Sequence, residues 1–171
     1  PRRKKPAVIR GAFLYPAQAD VLAGKCEDGW AREQWSTWPG NQFRPEEQQA
    51  KFLVQLRRIT AGLDVQLALD EQPLATEVGV RAFLDGVLAS KPDALLMVNF
   101  WNSFSVKLKP VLEEFKGPII VYHPVGASHQ LPPEHLRTAA HTQYIHAIED
   151  WDALARGLRA VHARNWMAQA R

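Results

Sequence analysis

Apolar positions along this chain come in two alternating patterns. Short, mostly apolar runs have the length and the β-branched and aromatic content of strands: Ala7 to Tyr15, Leu63 to Leu69, Asp93 to Trp101, Ile119 to Tyr122 and Gln143 to Ile148. Between them the spacing changes to that of helices. Phe52, Leu53, Leu56 and Ile59 recur at 3.6-residue intervals after Pro45-Glu46-Glu47. Proline suits the first helical position, and the acids suit the positive end of the helix dipole. Gly62 ends that helix. Val80, Phe83, Leu84, Val87 and Leu88 share one face of a helix over Leu74 to Ser90. Leu108, Val111, Leu112 and Phe115 mark a third, with Pro110 in its first turns or at a kink and Gly117-Pro118 as its stop. Pro132-Pro133-Glu134 opens a short helix to about Ala140. Asp150 caps a last one, with Trp151, Leu154, Leu158 and Val161 as its stripe. Ala17 to Ala23 has room for two more turns.

Strands alternating with helices predict βαβ units and a parallel sheet. Near-continuous apolar strands belong to a sheet covered on both faces. Five such units predict an α/β fold of three layers: a flavodoxin-like, Rossmann-like open parallel sheet of order 2-1-3-4-5 with helices on both sides. The 171 residues read as one domain, with 1–6 as a basic tail and 16–44 as a long irregular loop. An opening on Pro1 and an end at Arg171 without a stop signal fit the N-terminal piece of a longer chain.

Charge narrows the partners. The net charge is +3, and much of the excess is Arg2, Arg3, Lys4 and Lys5, a solvated tail. Elsewhere the charges alternate along helix faces, so the clustered basic surface of a nucleic-acid binder is missing. No run approaches a membrane span, no signal-peptide core is present, and a cytoplasmic protein is expected. The single cysteine, Cys26, supports neither a disulfide framework nor a zinc site. His123 and His129, or His141 and His146, have no helical metal-ligand spacing and no carboxylate to complete a triad. Neither phosphate-binding glycine motif occurs, and G-x-S-x-G is absent. Nucleotide binding and α/β-hydrolase chemistry therefore lack their main signals.

In open parallel sheets the ligand crevice lies at the carboxyl ends of the strands. Those ends carry Tyr15 and Gln18 after strand one, Trp101, Asn102 and Ser103 after strand three, and His123, His129 and Gln130 after strand four. Aromatic faces and planar amide or imidazole groups are the tools that hold a sugar. Plainer roles compete: Trp101 as a core residue under a loop, Asn102 or Ser103 as a helix cap, His123 as a turn former before Pro124. The first loop holds Trp30, Trp35, Trp38 and Phe43, as a lid, a subunit contact or a packed cover.

The run from Asp93 to Ser105, followed by Lys116-Gly117-Pro118-Ile119-Ile120-Val121-Tyr122-His123, resembles the first domain of the L-fucose isomerase and L-arabinose isomerase superfamily. The closing stretch from Trp151 to Arg164 resembles the helix leading out of that domain. The likeness spans about residues 7 to 171. It implies a flavodoxin-like domain of an enzyme that interconverts aldoses and ketoses through an enediol, with a divalent cation, usually Mn²⁺, held by residues of later domains. It further implies that this domain lies against a neighbouring subunit's active site in a homo-oligomer, with Trp101 as a substrate contact. The family pattern is not followed throughout. Fucose isomerases carry an arginine soon after strand one, whereas here none occurs between Gly11 and Arg32. Arabinose isomerases carry a glutamine where this chain has Ala12.

The leading expectation is therefore the N-terminal, substrate-contacting and oligomerising domain of a metal-dependent sugar isomerase, catalytically silent alone. Its substrate-binding residues would be Trp101, Asn102, His123, His129, Gln130 and Tyr15. Partners would be the sugar or polyol, the later domains and neighbouring subunits, with no nucleic acid and no membrane. The alternative is a stand-alone binding module for a small polyol or a protein. A flavin carrier is a third, weaker reading, because no phosphate loop follows strand one.

Overall fold

The computed structural model describes residues 5–26, 44–101, 107–124 and 132–170. Five parallel strands, β1 (Ala7–Leu14), β2 (Val65–Leu69), β3 (Ala94–Asn99), β4 (Ile119–His123) and β5 (Thr142–His146), pair in the order β2-β1-β3-β4-β5. This is the predicted order. The switch point falls between β1 and β3, where Leu14 lies opposite Asn99. Described helices are α1 (Gln18–Leu22), α2 (Pro45–Thr60), α3 (Glu77–Ser90), α4 (Lys109–Glu114), α5 (Glu134–Arg137) and α6 (Trp151–Ala168).

Strand alternation divides the core in two. Ala12, Leu14, Leu95, Met97 and Val121 meet Val80, Leu84 and Val87 of α3, Val111 of α4 and Leu136 of α5. Ile9, Phe13, Leu96, Val98 and Tyr122 meet Phe52 and Leu56 of α2 and Leu154 and Leu158 of α6. Every residue of β3 and β4 is buried, whereas the edge strand β2 alternates between half-buried and exposed positions and β5 buries only Ile145. Continuous apolar runs thus fall on the interior strands, as double coverage requires.

Asp93 pins β3 to β1 at its start: the Val8 N–H donates to the Asp93 carboxylate at 2.8 Å, and the Asp93 N–H donates to the Val8 carbonyl at 2.8 Å. Gly11 lies where β1 passes between its neighbours, and a Cβ there would stand 2.2 Å from the Leu96 carbonyl oxygen. Asp150 caps α6 by accepting from the Ala153 N–H at 2.8 Å, as its position predicts.

Several boundaries differ from the sequence reading for local reasons. Leu74 belongs to a bridge with Leu14 rather than to α3. The helix starts after Thr76, whose hydroxyl accepts from the Gly79 N–H at 3.0 Å. Leu63 turns back on Thr60, so β2 begins only at Val65. Trp101 lies beyond the end of β3, and His123 lies inside β4 rather than in the loop after it. Lys91 ends α3 in the left-handed region, φ 49°, without a glycine. No helix among the described residues is long and apolar enough to cross a membrane.

Candidate functional site

Among the described residues, Asn99 and His123 are the two fully buried polar side chains at the carboxyl edge of the sheet, 0% and 2% exposed. Both follow apolar residues of the same strand face: Leu95 and Met97 precede Asn99, and Val121 precedes His123. Registration makes them a row. Val98 pairs with Tyr122, and His123 pairs with His146 on the edge strand. Tyr144, two residues before His146, projects to the same face. Three adjacent strands therefore end in Asn99, His123 and His146, with Tyr144 beside them.

The hydrogen bonds give the row a direction. The Trp101 N–H donates to Asn99 Oδ1 at 3.0 Å, which turns the amide Nδ2 toward His123 Nε2, 3.2 Å away. An amide nitrogen can only donate, so this contact is a hydrogen bond when Nε2 carries its lone pair, in the Nδ1–H tautomer. The Tyr144 hydroxyl, 2.8 Å from the same nitrogen, competes with the amide for that single lone pair. The Tyr144 ring stacks on the imidazole at 5.2 Å, and His146 meets it edge-on at 5.4 Å. Burial, with His146 nearby as the second cause, drives the His123 pKa down to about 3. His123 is thus a neutral acceptor and a poor base at neutral pH. A second link ties the strand exits: the Glu149 N–H donates to the Pro124 carbonyl at 3.1 Å, with Glu149 at φ 46°.

Trp101 contributes its main chain to this row. Its indole is 1% exposed and packs among Leu14, Val80, Leu108 and Val111. A sugar could reach that ring only after its cover moved. Tyr15 sits apart, on the opposite face of the sheet. It is 2% exposed, stacks on Phe100 at 5.7 Å, and its hydroxyl donates to Gln49 Oε1 at 2.6 Å. Burial, and secondarily Glu46, raises its pKa. Tyr15 is therefore not brought together with His123. Asn102, His129 and Gln130 lie outside the described residues, as do Trp30, Trp35, Trp38 and Phe43.

The chain matches no protein-family model and no curated protein.

The sequence reading missed Asn99, Tyr144 and His146 as site residues. Strand parity carried the signal, because Asn99 shares a face with Met97 and Trp101, and Tyr144 with His146. Among the described residues no group of three or more His, Cys, Asp or Glu side chains is placed to hold a metal. A cavity of about 680 Å³ lies between the starts of α3 and α4, lined by Val78, Val80, Arg81 and Pro110 among others. No member of the polar row lines it.

What the row can do follows from its composition. It carries no carboxylate and, near neutral pH, no positive charge on His123. It offers imidazole, amide and phenol groups at the strand ends. Apolar replacements would have suited these buried positions, since polar groups in a core cost free energy unless bonded. Departures from local rules of this kind concentrate at functional sites.

Proposed function

We propose that this chain supplies the substrate-facing and subunit-facing domain of a metal-dependent aldose–ketose isomerase of the L-fucose/L-arabinose isomerase kind. The observation that carries this reading is the uncharged row of Asn99, His123 and Tyr144 at the carboxyl ends of β3, β4 and β5. Such groups hold sugar hydroxyls, and they stand where open parallel sheets take ligands. The runs 93–105 and 116–123 support the same reading through their resemblance to that superfamily.

In this reading Asn99, His123 and Tyr144 orient hydroxyl groups of an aldose while residues of later domains hold Mn²⁺. Such a cation, when bound by those later residues, would supply Lewis-acid chemistry at the carbonyl end of the sugar. Trp101 stacks on the sugar only on rearrangement of its cover. Asn102, His129 and Gln130 extend the same edge. A homo-oligomer brings the edge against a neighbouring subunit, in the cytoplasm. The chain alone turns nothing over.

The test is an NMR titration of the chain with L-fucose, L-arabinose and their polyols at millimolar concentration. The expected result is perturbation of the Asn99 side-chain amide, the His123 imidazole and the Tyr144 ring by at least one of them. Shifts confined to other surfaces, or none, would refute the reading.

A further inference from the structure

Strand β2 closes one side of the sheet, and its pairing with β1 shows which of its main-chain groups are used. The Ala7 N–H donates to the Asp64 carbonyl at 3.0 Å, and the Asp70 N–H donates to the Gly11 carbonyl at 2.9 Å, with Ala7 opposite Val65 and Gly11 opposite Leu69. In a parallel ladder this parity gives the main chains of Gln66 and Ala68 to β1 and turns the N–H and C=O of Val65, Leu67 and Leu69 away from it. Among the described residues those outward groups have no hydrogen-bond partner. Natural edges are blunted by lysine, proline or a bulge. Val65-Gln66-Leu67-Ala68-Leu69 carries none of these and keeps an unbroken register with β1. Beside this edge a groove of about 370 Å³ lies between β2 and α2, lined by Leu53, Leu56, Arg57, Thr60, Leu67 and Leu69 among others.

We propose that β2 accepts a sixth strand from a partner: an extended segment with apolar residues at alternate positions and lysine or arginine at both flanks. Extended backbone presents donors and acceptors at the repeat of about 6.6 Å that Val65, Leu67 and Leu69 require. Partner residues opposite those three project to the same face of the sheet, where Leu53 and Leu56 line the groove, so apolar side chains suit them. The charges decide between a second copy of this chain and a different sequence. Two copies paired antiparallel about Leu67 would satisfy every outward group, but each Asp64 would then stand opposite the other copy's Asp70, and like charges directly opposite are destabilising. Asp70 is held by Arg10 at 3.4 Å, and the groove lining sets Arg57 against Asp70 and Glu71. Asp64 and Glu71 are exposed and have no ion pair among the described residues. Acids thus stand at both ends of the open edge, so a strand with basic flanks meets opposite charge in either direction. The inference is independent of the sugar reading.

The experiment titrates the full ¹⁵N-labelled chain with the heptapeptide Lys-Val-Thr-Val-Thr-Val-Lys, its ends acetylated and amidated, and follows amide shifts and hydrogen exchange by NMR. The expected result is that the amides of Val65, Leu67 and Leu69 shift and become protected, while those of Gln66 and Ala68, already bonded to β1, keep their exchange rates. Two further peptides are N-methylated, one at its valines and one at its threonines. A strand bonds an edge through one of these sets only, so one of the two should bind at least about tenfold more weakly than the parent and thereby report the strand direction. Replacing both flanking lysines by glutamate should weaken binding at least about fivefold at low salt. Leu67→Pro removes an outward donor without touching the ladder to β1 and should abolish the response.

No response at Val65, Leu67 and Leu69, or binding that both N-methylated peptides retain, overturns the proposal. Equal binding of the glutamate-flanked peptide overturns the chemistry assigned to the partner. Protection of the same three amides without peptide, together with a dimer in sedimentation equilibrium, shows that the edge takes a second copy instead and also overturns it. Should Leu67→Pro fail to fold, the N-methylated peptides on the unsubstituted chain decide the matter alone.

Discussion

Acid should act on this fold largely through one imidazole. His123 is buried and neutral in the native chain, with its pKa pushed down to about 3. In the unfolded chain it returns to about 6.5. Between those values the unfolded state binds the extra proton, so stability rises with pH through that window and is complete above it. As pH falls from 7.5 to 4.5, the native chain must hold His123 neutral while the unfolded chain protonates it. At 1.36 kcal/mol per pH unit, that step removes about 3 kcal/mol, a large share of the stability of an ordinary domain. The assay is urea denaturation at pH 7.5, 6, 5 and 4.5 on the unsubstituted chain and on His123→Gln. Every other ionisable group is common to both proteins, so the difference between the two pH dependences isolates His123. The difference should be near zero above pH 7 and reach about 3 kcal/mol at pH 4.5, in the direction of greater acid sensitivity for the unsubstituted chain. Parallel curves, or a native-state titration of His123 near pH 6 by NMR, would show that the imidazole is not held neutral and would remove the directional argument built on it.

Two glycines should respond to very different degrees. Gly11→Ala places a methyl group against the Leu96 carbonyl between two paired strands, where nothing can yield, and should lower stability by about 3 kcal/mol or leave the chain insoluble. Gly157→Ala meets chiefly the exposed Gln143 side chain, which can swing away, and gains helix propensity, so its urea midpoint should stay within about 1 kcal/mol of the parent. Asp150→Ala removes the cap of α6 and should cost about 1 kcal/mol in thermal or urea unfolding, whereas Asp150→Asn should recover most of it.

The sheet was legible because its strands are covered on both faces, so runs such as Leu95 to Val98 announce themselves without any alternation to decode. Strand order followed from the βαβ rhythm. Boundaries were less legible wherever an apolar residue serves a contact other than its apparent element, as Leu74 does in bridging to Leu14. The apolar run alone ends at Tyr122, one residue short of the end of β4. A residue before proline favours extended backbone, and that rule would have kept His123 in β4. The site was legible in place but not in membership. His123 was legible as a polar residue at the carboxyl edge, whereas Asn99 and Tyr144, which meet it there, were not. Trp101 stood out as an aromatic at the end of strand three, yet its indole fills the core and its main-chain N–H orients Asn99. Tyr144 could not be joined to His123 from sequence, because their meeting depends on the register of β5 against β4, which strand order alone does not fix.

The interior place of β1 has a consequence for synthesis. Val8 finds its partner at Asp93, 85 positions further along the chain. At ribosomal speeds the first strand waits roughly 4 to 17 s for that partner to be made. During this interval its apolar side chains have no sheet to join, and β2, which borders only β1, has no firm base. A nascent chain of this design therefore stays exposed to chaperones until half of it has emerged, and slower translation before residue 93 should lengthen that exposure.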